Sequence, residues 1–185
     1  MEHGDDYFRF QIHYNSIIQN PKNHFEYIVS GNINVINLIS SFNGMITIKQ
    51  SSLSKNPEKR LYKQGFVICE VVLYENKNQT STGFIKGILK SDFIIDDKKQ
   101  FRYDALMFNA DGFSNNQFIG TWTSYKTKKV KKCNWGDYRI PNCGDLDIGA
   151  GEFSVNEKYK KNGWETYNSE LAEKKWWNIS QVKKQ

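Results

Sequence analysis

The residues best suited to chemistry crowd into one stretch, from Cys133 through Trp135, Asp137, Tyr138 and Arg139 to Phe153. Within it Asp145, Asp147 and Glu152 follow the pattern D-x-D-x-G-x-G-E. Carboxylates on tightly turning backbone suit a hard cation, which takes several oxygen ligands. The match to a calcium loop ends there, because its sixth position is Ala150 where Gly is needed and its twelfth is Asn156 where Glu is needed. These acids therefore read first as caps for turn amides, and no metal is expected. A hydrolase using Asp145, Asp147 and Glu152 is an alternative, since two carboxylates with split pKa values can share acid and base work. Catalytic residues stay unassigned.

Stacking and charge supply the second kind of chemistry. Trp122, Tyr125, Trp135 and Tyr138 offer ring faces, and Arg139 can pair a ligand carboxylate or phosphate. With Asp137, Asp145, Asp147 and Glu152 they make up the expected ligand-binding set. The run from Lys126 to Lys132 lies between Tyr125 and Trp135. Ammonium groups interleaved with rings suit single-stranded nucleic acid, so Lys128, Lys129, Lys131 and Lys132 define a further alternative, a nucleic-acid or protein-interaction module. The plainer reading is a solvated hairpin tip whose lysines block strand addition. Gly149-Ala150-Gly151 lacks the third Gly and the Lys-Ser or Lys-Thr of a phosphate loop. His3, His13 and His24 lack zinc-site spacing. Cys69 reads as a small core residue, and Cys133 with Cys143 would pair only in an oxidising compartment.

The elements that must position these residues are strands. Phe8, Phe10, Ile12 and Tyr14 alternate with polar residues, as a half-buried strand requires, and Phe25 to Val35 continues the pattern through a bend at Gly31. Residues 35–42 fit either a strand or a short helix. With the strand, Asn43-Gly44 predicts a two-residue hairpin turn. Val67 to Leu73 and Thr82 to Leu89 form a hairpin around Glu75-Asn76-Lys77-Asn78, followed by strands near Phe93–Ile95, Phe101–Met107 and Phe118–Trp122. Connections this short leave no room for helical crossovers. The expected fold is mainly β, an antiparallel meander closing into a small up-and-down barrel, with Gly83, Gly87 and Gly120 permitting the bending. One domain spans 1–185, with the barrel over about 7–140, an ordered loop over 133–168 and a C-terminal helix over 169–182.

Composition agrees with a folded domain. Its 12 Phe, 10 Tyr and 5 Trp against 3 Pro give enough apolar surface to offset chain entropy, which argues against disorder. No apolar run approaches the roughly 18 residues of a membrane helix, and the start is acidic where a signal peptide would be basic. A soluble, cytoplasmic protein without a membrane partner is expected, its oligomeric state open. The net charge of +6 rests largely on lysine, with only Arg9, Arg60, Arg102 and Arg139 as arginines, so bidentate phosphate recognition is sparse.

Gly120-Thr121-Trp122, a G-x-W on a strand within a β-meander, resembles the calycin group of lipocalins, avidins and fatty-acid-binding proteins. In lipocalins this tripeptide belongs to the first strand, whereas here it follows some six. The resemblance implies a barrel that holds one ligand inside. The expected function is thus non-enzymatic binding of a small molecule, with anionic and nucleotide-like ligands as candidates, in or at the mouth of the barrel beneath the 133–153 loop. No cofactor is expected.

Overall fold

Alternation of apolar and polar residues becomes strand after strand in the computed structural model, which describes residues 6–58 and 62–167. In chain order these are β1 (Phe10–Asn20), β2 (Asn23–Val35), β3 (Leu38–Leu53), β4 (Lys63–Glu75), β5 (Gly83–Ile95), β6 (Phe101–Tyr103), β7 (Asn115–Ser124), β8 (Val130–Lys132) and β9 (Trp135–Asp137). They form one sheet in the order β1-β2-β3-β4-β5-β7-β8, with β6 beside β5 and β9 beside β7. Every pairing is antiparallel, so the meander is as the sequence predicts.

The sheet curls into a half-barrel. Its inward residues, Val29 and Ile33 of β2, Phe42 of β3, Val71 and Leu73 of β4, Ile85 of β5 and Phe118 of β7, are buried together with Cys133. Register shifts in β1 after Tyr14 and in β3 after Ile48 add a residue to one strand, which increases twist. Gly87 lies opposite Gly120 in the β5–β7 ladder, and a methyl on either would collide with the Phe118 ring. The pair does more than permit bending, because it hollows the sheet for that ring, which stacks on Trp135 at 3.6 Å and 11°.

Several expectations are corrected. Asn43 and Gly44 are not a turn; they lie within β3, opposite Ser30 and Val29. The β2–β3 turn is Ile36–Asn37, whose φ values of 46° and 66° are those a type I′ turn needs. A turn at 43–44 would have taken Phe42, 1% exposed, out of the core. Gly44 is instead required by close approach, since a side chain there would strike the Val72 carbonyl and Leu73. Residues 35–42 form no helix. Phe93–Ile95 is the end of β5, and β6 stops at Tyr103. The barrel is not closed by strand pairing among the described residues, because β1 and β8 occupy opposite ends of the strand order.

The segment expected to be an ordered loop is ordered through residue 167. It contains β9, 3₁₀ turns at Gly144–Leu146 and Glu157–Asn162, and a bridge between Asp147 and Val155. Its Leu146, Phe153, Val155 and Trp164 form a second buried cluster, packed against Tyr7, Ile140 and Tyr167. Trp164 Nε1 donates to the Tyr7 carbonyl at 2.7 Å, and Arg9 N–H donates to the Asn162 carbonyl at 2.9 Å, which ties the segment to the entry of β1. The helix expected over 169–182 lies outside the described residues. Among those described, no helix is long and apolar enough to cross a membrane.

Candidate functional site

Because the meander stops at a half-barrel, the space inside its curl is only partly filled. A cavity of about 890 Å³ runs along the seam between β1 and β8. Ile33, Ile85 and Trp122 wall it from the sheet, Trp135 from β9, and Leu146, Trp164 and Tyr167 from the ordered segment. Sheet curvature thus creates the space, and the second apolar cluster covers one side of it.

One carboxylate lies on this apolar wall. The inward phase of β4 reads Cys69, Val71, Leu73, Glu75, and Glu75 is only 6% exposed. Ser40 Oγ donates to Glu75 Oε1. Gly83 N–H and Trp122 Nε1 each donate to Oε2 at 2.7 Å. The hydrogen bonds gather β3, β5 and β7 onto the last residue of β4. Among the described residues the ion pairs all involve other acids. Burial, with the charge of Glu75 nearby, pushes the Cys133 thiol up to about 12, so it is an inert wall residue at neutral pH. Cys69 and Cys143 are likewise raised by burial, and all three cysteines are free.

Arg9, Lys131 and Lys132 bring positive charge to the cavity lining, which also includes Asp6. The Arg9 guanidinium lies 5.6 Å from the Trp164 ring and 5.4 Å from the Tyr167 ring, and donates to Thr166 Oγ1 at 3.3 Å. Burial lowers its pKa from the ordinary value, while Tyr167 opposes that effect. It remains a cation at any physiological pH. The Lys131 ammonium lies 5.6 Å from the Phe8 ring.

Of the residues singled out in the sequence, Trp122, Trp135, Lys131 and Lys132 line this cavity. Cys133 and Cys143 line it too, and the other expected ligand-binding and nucleic-acid residues lie elsewhere. Tyr125 packs near Phe84 with the Lys77 ammonium 5.2 Å from its ring, and its buried hydroxyl has no hydrogen-bond partner among the described residues. Asp137 accepts from Tyr103 OH at 3.0 Å and Asn116 Nδ2 at 2.7 Å. Tyr138 is exposed and packs edge-on against Phe108 and Phe113. Lys128 and Lys129 sit on the exposed turn after β7, so the lysine run is split between that turn and the cavity lining. Glu152 is exposed.

Arg139 and the loop acids form a structural clamp. The guanidinium pairs with Asp147 and donates to the carbonyls of Gly149, Ala150 and Gly151 at 3.1, 2.9 and 2.7 Å. Asp147 Oδ1 also accepts from Gly149 N–H and Ser154 N–H at 2.9 and 3.0 Å. Burial opposes the Asp147 charge, but these hydrogen bonds and Arg139 outweigh it and hold the carboxyl below its usual range. Asp145 is lowered by hydrogen bonds from Lys158 and Tyr159. Both carboxyls are therefore anions with their own partners, whereas acid and base catalysis needs one of a pair raised. Among the described residues no group of three or more His, Cys, Asp or Glu could hold a metal ion.

Glu75, Ser40 and Arg9 were absent from the set drawn from the sequence. The signal for Glu75 was present, since it continues the apolar phase of Val71 and Leu73 and breaks its chemistry. A smaller cavity of about 330 Å³ lies near Gln64, Asp92 and Asp104, whose polar groups are engaged by Lys90 and by one another. Comparison with protein-family models, curated proteins and solved structures finds no match for this chain.

Proposed function

We propose that this is a non-enzymatic binding protein that takes a small amphipathic molecule into the half-barrel, apolar body inward and acidic group at Arg9, Lys131 and Lys132. The observation that carries the reading is the aromatic-walled cavity of about 890 Å³ whose lining holds three basic residues against Asp6 and the buried Glu75. Ligand sites commonly occupy roughly 300–1,000 Å³ and combine apolar walls with a few charged groups. A ligand burying roughly 250 Å² of apolar surface gains about 6 kcal/mol from it, short of the about 8 kcal/mol of micromolar binding before association costs. Micromolar binding would therefore draw on charge as well. A ligand inside the curl is also what the calycin resemblance implies.

The probe is anilinonaphthalene sulfonate, an apolar anion. Saturable one-site binding with a blue-shifted emission is expected, weakened about tenfold in K131E/K132E with the circular dichroism spectrum unchanged. Absence of saturable binding to the folded protein would overturn the proposal. Salt-sensitive retention on single-stranded DNA, lost in K128E/K129E, would favour the nucleic-acid alternative instead.

A further inference from the structure

We infer that Glu75 is the second anchor of this cavity and selects a ligand carrying a protonated amine in addition to its acidic group. The inference rests on the cavity reading above and adds the polarity of the ligand. Glu75 lines the cavity from the end of β4, on an otherwise apolar phase. A carboxylate offers about four acceptor positions, two on each oxygen. Oε2 is filled by the Gly83 and Trp122 N–H groups, which can only donate, and Oε1 is met by Ser40. One acceptor position on Oε1 is left.

All three partners are neutral. They satisfy hydrogen bonds without supplying a counter-charge, and a buried anion without one is incompletely compensated. A ligand hydroxyl would fill the remaining position but leave the charge. A ligand ammonium would fill it and neutralise the site. A carboxylate there would be repelled. With Arg9, Lys131 and Lys132 also lining the cavity, its walls are complementary to an apolar molecule that carries both an acidic group and a cation.

The test uses octanoate, octylamine and 8-aminooctanoate as competitors against bound anilinonaphthalene sulfonate, with calorimetry as a direct check. In the wild type, 8-aminooctanoate should displace the dye at a concentration at least tenfold below that of octanoate. In Glu75→Gln the two should fall within threefold of each other, with octanoate itself unchanged. A purely structural Glu75 would lower stability without altering that ratio. Should Glu75→Gln fail to fold, Ser40→Ala, which vacates a further position on Oε1, is expected to keep or widen the preference for the amine. Dye binding with no preference for 8-aminooctanoate in the wild type overturns this inference and leaves the cavity reading standing. A full preference retained in folded Glu75→Gln also overturns it. No calorimetric binding of the dye or any competitor overturns both.

Discussion

Arg139 shows how a residue suited to ligand chemistry can be committed to the chain itself. Its guanidinium faces three successive carbonyls and the Asp147 carboxylate, so removing it strands a buried anion along with those acceptors. Arg139→Ala should cost about 3 kcal/mol in urea unfolding at neutral pH. Arg139→Lys should recover little, since a single ammonium cannot span the same fork. The folded Asp147 carboxyl is lowered, so its contribution is complete above the unfolded value of about 4 and is lost as pH falls through the folded one. The gap between wild type and Arg139→Ala is accordingly expected to shrink below about pH 4. From sequence, Trp122, Trp135, Lys131 and Lys132, which line the cavity, were legible as candidates because their types advertise stacking and charge. Arg9 and Glu75 were not, because a residue inside a strand pattern reveals its role only once the inward phase and the neighbouring strands are known.

At the scale of elements, alternation made the strands legible and left their turns ambiguous. The Asn43-Gly44 pair has the composition of a type I′ turn, yet the chain turns at Ile36–Asn37, where a β-branched residue adopts φ of 46°. The decision is tertiary, because only this register buries both Ile33 and Phe42. The local cost remains in the turn. Ile36 is 51% exposed, so little burial is lost on replacing it, and the left-handed conformation costs a β-branched side chain about 1–2 kcal/mol. Ile36→Asn should therefore raise stability by about 1 kcal/mol and the melting temperature by roughly 2–4 °C, as read by calorimetry. A measured decrease would show that contact of Ile36 with the segment near Gly163 outweighs the relief.

Across the whole molecule, stability should be graded by position in the sheet. β2 to β5 are long and each is paired on both sides for most of its length, whereas β8 has three residues and, among the described residues, a single neighbour. Amide exchange should be slowest in the ladders around Val71, Leu73 and Ile85, and faster in β8 and the outer half of β1. Uniform protection across the sheet would mean that the ends are held as firmly as the centre. The meander was legible from its short turns, but the point at which its curl stops was not, since that depends on the accumulated twist of every strand pair.

That open curl carries a kinetic consequence. The two ends of the sheet meet through rings and a cation, Phe10 edge-on to Trp135 at 5.9 Å and Lys131 over Phe8, with no ladder joining β1 to β8 among the described residues. Widening the seam by the width of a methylene chain thus separates side chains and leaves every strand pairing intact. Side-chain rotation is a nanosecond event and local unfolding is slower by orders of magnitude. Exchange of a ligand bound as proposed would be set by the former, so the half-barrel would exchange it fast where a fully laddered barrel of the same volume would exchange it slowly.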